Sequence, residues 1–367
     1  MNTNLEKPRK NTNYKAGLFN IISKNSVPIL FLVLCIIGVY YSGLSVEYVV
    51  NEIITRIGRN LFLVLALIIP VIAGMGLNFA IVIGAMAGQI GIIIVKILDI
   101  GGFPGFILAV IFATPFAIIF GYWTGKILNK TKGREMITSL ILGFLANGLW
   151  QMVFLIFVGN IIPVNNPEII LKKGFGLKNA LDLKFIQYSL DRMVTINILG
   201  LSIPLVTLLV ILAFALATKY IVKTKLGQDF RALGQDLRIA KVSGINTDKR
   251  RLIAMIISIV LAAWGQIIFL QNLGTLNTYA SHEQVGMFAI AALLIGGATV
   301  TKATIGEALV GTILFHTLFI VSPQAGNNMF GDAQIGEYFR VFIAYGVIAM
   351  SLVLHAMQKH SQSEQLL

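Results

Sequence analysis

Charge is scarce in this sequence. Asp, Glu, Lys and Arg make up 12% of its 367 residues, against roughly 25% in an average soluble domain. With 56% apolar residues beside so little charge, an ordinary soluble enzyme is excluded. Cysteine is scarcer still. Cys35 stands alone, so neither an intrachain disulfide nor a cysteine-built metal centre can form. The four histidines, His282, His316, His355 and His360, show no HExxH pairing. Each is read as a packed or interfacial residue, and no metal site is expected. No phosphate-cradling G-x-x-x-x-G-K-[ST] occurs. Gly121-Tyr-Trp-Thr-Gly-Lys126 has the wrong spacing and runs into Ile127, so it is read as a membrane-exit segment. The apolar runs also lack any paired acid/base constellation. No catalytic residue is expected, and no cofactor bound by this chain.

What is abundant is apolar sequence in long runs, and about 20 apolar residues span the hydrocarbon core of a bilayer. The runs predict an all-α polytopic membrane protein. Ten spans fall near 27–44, 58–77, 79–98, 103–124, 136–160, 198–218, 252–272, 285–300, 303–321 and 338–356. Spans two and three run together through Gly74-Met75-Gly76-Leu77-Asn78 without a charged loop, as in a broken helix buried in protein. The formal net charge of +13, from 29 basic and 16 acidic residues, suggests nucleic acid only in a soluble chain. Here the basic residues sit between apolar runs and mark topology and anionic lipid. With the N-terminus inside, 20 of the 29 fall in inside segments. Both termini are then cytoplasmic. The basic lead-in Lys7, Arg9, Lys10, Lys15 and Lys24 favours a retained first helix over a cleaved signal peptide. The organisation expected is a cytoplasmic segment 1–26, a transmembrane domain 27–356 and a cytoplasmic tail 357–367. Within the domain lie an external loop 161–197 and a cytoplasmic loop 219–251.

The cytoplasmic loop carries the sharpest pattern. Leu226, Phe230, Leu233, Leu237 and Ala240 recur at spacings of 4, 3, 4 and 3, one face of a helix. Asp229, Arg231, Asp236, Arg238 and Lys241 occupy other faces. Gly234 interrupts the pattern, so two short helices are expected. Asp236 can cap the second, Gly244 suits its C-terminus, and Asn246, Thr247 or Asp248 can cap the span that follows. Two readings stand: a helix lying on lipid headgroups, or an apolar face offered to a cytoplasmic protein.

The stretch Gly227–Asn246 resembles the coupling segment of ABC importer permeases of the ribose-type and branched-chain amino acid family, approximately G-x-x-x-R-A-x-G-x-N-x-x-A-A-x-x-S-G-I-N. The matches are Gly227, Arg231, Ala232, Gly234, Ala240, Ser243, Gly244, Ile245 and Asn246; Asp236 and Ile239 depart from it. Phe288-Ala-Ile-Ala-Ala-Leu-Leu-Ile-Gly-Gly-Ala298 resembles the family's D-A-I-A-A-V-V-L-G-G-T. Gly76–Gly84 looks like a divergent G-G-I-D-L-S-V-G with Asn78 near the acid. The resemblance implies a type II importer permease of the simple-sugar branch, working with a cytoplasmic ABC ATPase, an external solute-binding protein and a second permease subunit. ATP and Mg belong to the ATPase. It assigns the coupling contact to Leu226, Phe230, Arg231, Leu233, Asp236, Leu237, Arg238, Ala240, Lys241 and Gly244.

Intramembrane polar residues are suspects for a solute path, though amides also join helices. Asn147, Trp150 and Gln151 fall at i, i+3 and i+4. With Asn78, Gln89, Trp264 and Gln266 they suit a neutral hydroxylated solute, a monosaccharide or nucleoside. Glu307 is the main intramembrane acid.

Overall fold

The computed structural model describes residues 25–164, 166–198 and 200–364. Nearly all of the expected N-terminal segment and the last three residues lie outside that description, as do the side chains of His355 and His360. Helices overlie all ten expected segments. They are α1 (Ser26–Ser42), α2 (Val46–Ala66) with its continuation α3 (Ile68–Ile72), α4 (Ile81–Ile97), α5 (Gly102–Lys130) and α6 (Glu135–Met152). After a π turn, Val153–Phe157, come α7 (Leu205–Lys223), the short α8 (Lys225–Gln235) and α9 (Leu237–Val242), and α10 (Thr247–Leu273). The chain closes with α11 (Ser281–Ile295), α12 (Ile305–Phe330) and α13 (Ala333–Glu364).

Among the described residues, six helical segments are long and apolar enough to cross a bilayer: α2–α3, α5, α6 with its π turn, α7, α10 and α12. The helices α1, α4 and α11 are apolar but shorter. The second helix starts at Val46, twelve residues before the expected 58, because Ser45 accepts from the Tyr48 N–H and caps it. Helix α13 runs to Glu364, through most of the segment expected as the tail.

Two features of the connections shape the molecule. The join at 73–80 is an irregular, buried stretch, with Gly74 and Gly76 at φ +71° and +70°. Its freed backbone is satisfied inside the protein. Asn78 Oδ1 accepts from Ala80 N (3.1 Å), Asn78 Nδ2 donates to Ser258 Oγ (3.1 Å), and Phe79 N donates to Ser139 Oγ (3.2 Å). Non-helical backbone at membrane depth is tolerated on those terms.

The segment 158–204 is no passive loop. It contains β1 (Ala180–Asp182) and the hairpin β2 (Thr195–Ile198)–β3 (Leu201–Pro204). Strand β1 pairs antiparallel with β4 (Thr275–Asn277), with Leu181 opposite Leu276. Ile169, Leu177, Leu183 and Ile186 are fully buried beneath it. Asp191 holds it to the bundle by accepting from Thr207 Oγ1, Gln271 Nε2 (3.0 Å) and Asn272 Nδ2 (2.7 Å). These short strands qualify the all-α expectation without changing the class.

The bundle therefore has a sheet end, around 158–204, and a basic end, around 125–135 and 219–251. Helix α10 lies at the centre, against α2, α4 and α5, while α5, α6 and α7 keep largely exposed faces. Helix α1 runs parallel to α12, since Cys35 meets Leu314 and Asn328 meets Ser42. Helix α12 turns back into α13, where Gly326 meets Gly336. The described chain thus begins and ends at the same end.

Candidate functional site

At the sheet end, α4, α6, α10 and α11 converge on a buried polar cluster. Gly88 lets α4 lie directly on α10: a Cβ there would strike the Ala263 carbonyl and stand 3.1 Å from Gln266 Cβ. That approach brings the fully buried Gln89 and Gln266 to one place. The first turn of α11 adds His282, also fully buried. His282 Nδ1 lies 3.3 Å from the Gln89 side-chain amide and Nε2 lies 3.0 Å from Asn147 Oδ1. Asn147 Nδ2 donates to Glu283. Trp150 sets its ring edge-on to His282 at 5.4 Å and donates Nε1–H to the Thr278 carbonyl (2.7 Å). Gln266 Nε2 donates to the Ser281 carbonyl (3.4 Å).

A neutral imidazole donates from one nitrogen and accepts at the other. It serves both contacts when the Gln89 amide is turned so that its NH2 faces Nδ1. Either amide orientation leaves one end of Gln89 unpaired, and Gln266 Oε1 is unpaired too. Two buried amide ends without protein partners, beside an aromatic wall, are equipped to take hydrogen bonds from a visiting molecule.

Of the seven sequence-proposed path residues, this cluster gathers Gln89, Asn147, Trp150 and Gln266. The other three lie elsewhere. Asn78 pins the 73–80 join. Trp264 faces α5 and α7, donating to Thr114 Oγ1 (2.9 Å) with Phe214 edge-on at 5.5 Å. Gln151 is exposed. The packed stripe of α6 runs Ser139, Gly143, Asn147, Trp150, and residue 151 rotates past its edge.

His282, read from the sequence as packed or interfacial, is indeed packed, but at the centre of the polar cluster. Its signal was the polar run Ser281-His282-Glu283-Gln284 opening an apolar helix. Glu307 is no path acid: its carboxylate accepts from Thr304 N (2.8 Å) while Thr304 Oγ1 accepts from Glu307 N, a capping box that starts α12. Among the described residues no cluster of metal-ligand side chains occurs.

At the basic end, two short helices form as the pattern predicts, but their break is at Asp236. Asp236 Oδ1 accepts from Arg238 N (2.7 Å) and Ile239 N (3.0 Å). Bonds from the Ile239 and Arg238 N–H groups hold its carboxyl below the ordinary value. Gly234 instead permits contact, its Cα lying 2.8 Å from where a Cβ on Gly74 would stand. Gly244 takes φ +81° after α9, and Asn246 caps α10 by accepting from Lys249 N (3.0 Å).

The apolar stripe points inward, against the expectation of a face offered outward. Phe230, Leu233 and Ala240 are buried and Leu226 and Leu237 half-buried in the chain's own core. The face left outward carries Arg231, Asp236, Arg238, Lys241 and Gly244, with two exposed apolar residues, Ile239 and Val242, at 66% and 90% exposure. Those two were missed because they depart from the 4–3–4–3 stripe. Behind them, Asp229 pairs with Arg250 (2.7 Å) and the fully buried Arg251 pairs with Glu135 (2.6 Å). The start of α10 thereby ties α8 to α6.

Comparison with known proteins decides what this arrangement belongs to. The family described as branched-chain amino acid transport system / permease component matches residues 49–352, from the start of α2 into α13. The chain belongs to this permease family. Among curated members, the xylose transport system permease protein XylH of Haemophilus influenzae is 25% identical over 188 residues, 49% of this chain and 48% of that protein. LivH of Escherichia coli, a high-affinity branched-chain amino acid transport system permease protein, is 32% identical over 108 residues, 29% and 34% of the two chains. The chain thus spans about half or less of the length of these relatives. The D-allose transport system permease protein AlsC of Escherichia coli is 24% identical over 339 residues, 88% of this chain and 90% of that permease. No solved structure matches. The matches and the apolar helices make the chain a multi-pass membrane permease.

Proposed function

We propose that this chain is the membrane subunit of an ATP-driven importer and carries a small hydroxylated solute, monosaccharide- or nucleoside-like, past the Gln89–His282–Asn147 cluster. The observation that carries the reading is the family match across 49–352. Relatives named for xylose and D-allose favour the sugar branch. The cluster supports it chemically: unpaired amides beside Trp150 match hydroxyl groups and an apolar sugar face, with little fixed charge. The LivH likeness keeps a branched-chain amino acid as the second reading. That solute is zwitterionic, and the cluster contributes no fixed positive charge for its carboxylate.

The partners under this reading are a cytoplasmic ABC ATPase, which binds ATP and Mg, an external solute-binding protein and a second permease subunit. The ATPase meets the outward face of α8–α9 at Ile239 and Val242. Closing of the ATPase dimer would swing these helices, and the Asp229–Arg250 and Arg251–Glu135 pairs would pass the motion to α6, which carries Asn147 and Trp150. That is a rigid-body alternating-access step.

The test places Asp at Ile239 or Val242. Both side chains are exposed, so insertion and yield should hold. Burying either in a partner is worth about 1.5–3 kcal/mol. Recovery of an ATPase with the affinity-purified permease should therefore fall at least tenfold, together with uptake from a panel of labelled xylose, ribose, adenosine and leucine. Undiminished ATPase recovery in both variants rejects this docking face. Leucine uptake alone would transfer the assignment to the amino acid branch.

A further inference from the structure

Apart from the polar cluster, an apolar groove of about 560 Å³ runs between α4, α5 and α6. One wall is a stripe of α5: Phe116, Phe120, Trp123 and Ile127. The opposite wall includes Leu145 and Leu149 of α6, both exposed along the open side. Along α6 and the start of its π turn it extends from Leu142 to Phe154, about 18 Å at roughly 1.5 Å per residue. The groove is long, narrow and nearly without polar lining.

The basic end of the groove bears on what could fill it. The stripe 116, 120, 123, 127 has spacings of 4, 3 and 4, and the next residue on that face is Lys130. Lys126 lies beside it, its Nζ 5.8 Å and 5.5 Å from the ring centroids of Tyr122 and Trp123. Both lysines are exposed. The neighbouring charges are spent: Lys132 pairs with Asp248 and Glu135 with Arg251. Neither Lys126 nor Lys130 has an acidic partner among the described residues. Exposed Tyr and Trp beside Lys mark the headgroup level of a bilayer, and basic residues there attract anionic headgroups. A face that ends in this way meets lipid.

We propose that the groove is a binding site for one anionic phospholipid, with an acyl chain along the α5 stripe and its phosphate between Lys126 and Lys130. Trp150 lines the groove and its ring also lies 5.4 Å from that of His282. A lipid seated there therefore lies next to a wall residue of the polar cluster. The site does not depend on the solute or on any ATPase.

The permease is purified in mild detergent, equilibrated with an equimolar mixture of phosphatidylglycerol and phosphatidylcholine, and examined by native mass spectrometry. One retained phosphatidylglycerol per chain is expected, in preference to phosphatidylcholine. In K126Q/K130Q, on exposed positions, that preference should fall about 25-fold, about fivefold per lysine, with an unchanged melting curve. Ala146→Trp fills the groove from α6 and should remove retained lipid of either headgroup. Equal retention of the two lipids by the unmodified protein overturns the proposal. So does phosphatidylglycerol retention unaffected in K126Q/K130Q, or a dimer without stoichiometric lipid, which would mean that a second copy covers the groove.

Discussion

Single side chains separate structural from functional polarity in this bundle. Asn78 and Gln266 are both buried amides, yet their bonding differs. Asn78 uses both ends of its amide, one on the backbone of the 73–80 join and one on Ser258. Gln266 leaves its carbonyl unpaired. Removing a satisfied buried group strands its partners at about 1–3 kcal/mol, whereas removing an unsatisfied one does not. Asn78→Leu should therefore lower stability in a detergent denaturation curve by about 1–3 kcal/mol. Gln266→Leu strands only the half-buried Ser281 carbonyl, at the end of a long 3.4 Å bond, so it should lower the curve by less than Asn78→Leu, while the transport rate falls. Loss of stability without loss of transport in Gln266→Leu would make that residue part of the packing. His282 joins both kinds, since it bonds Gln89 and Asn147 across α4 and α6. The sequence offered His282 only as one histidine among four. Its weight comes from the crossing of three helices, which no local pattern displays.

Elements were legible in proportion to how local their cause is. Apolar runs placed every long helix, and the Asp236, Gly244 and Asn246 signals placed the ends of α9 and α10, because capping is decided within four residues. Which way the 226–240 stripe faces was not local. An amphipathic pattern shows that a face is buried but not whether its cover is a partner or the chain itself; here Phe230 and Leu233 sink into the chain's own core. The Asp236 cap has a pH signature. Its carboxyl is depressed in the folded state, so its stabilisation of α9 is present above the ordinary carboxyl pKa of about 3.9. It is lost as pH falls through the lower folded value. Amide exchange at Ala240 and Lys241 should stay slow down to pH 4 and speed up below it. D236N should abolish that acid dependence, and D236A should exchange fast throughout. The Arg251–Glu135 pair makes a second element-scale prediction. Arg251→Met leaves a buried carboxylate, a loss of about 3–5 kcal/mol, while a paired apolar replacement is often tolerated. R251M/E135M should therefore melt above R251M alone, and strictly additive losses would show that the two side chains do not act as a pair.

For the whole molecule the open matter is how a bilayer fits a bundle in which only six helical segments, among the described residues, meet the length and composition for a span. The three short apolar helices fit the same slab when their neighbours are considered. Helix α4 is preceded by the buried 73–80 join, and α11 by β4 and the Thr278–Ala280 turn, so protein rather than lipid satisfies the backbone that continues them. Helix α1 is exposed but lies parallel to α12 and ends level with it, where Asn328 meets the carbonyls of Tyr41 and Ser42. With α13 as the return from α12, we propose ten crossings with both described chain ends on one side. We propose that the 125–135 and 219–251 end, where basic residues collect, faces the cytoplasm, as the positive-inside rule favours. In a Cys35→Ser background, a cysteine at Lys178 should then react with an impermeant maleimide added outside intact cells. Cysteines at Lys249 and Lys302 should react only after the membrane is opened. Lys302 is the sharper probe, because it lies between α11 and α12 and reports on the short α11. If Lys178 and Lys302 label from the same side, α11 does not cross, and the count drops to an odd number that would put the two chain ends on opposite sides. The antiparallel packing of α11 on α12, where Gly311 meets the Ala292 carbonyl and Gly296 meets that of Glu307, argues for labelling from opposite sides.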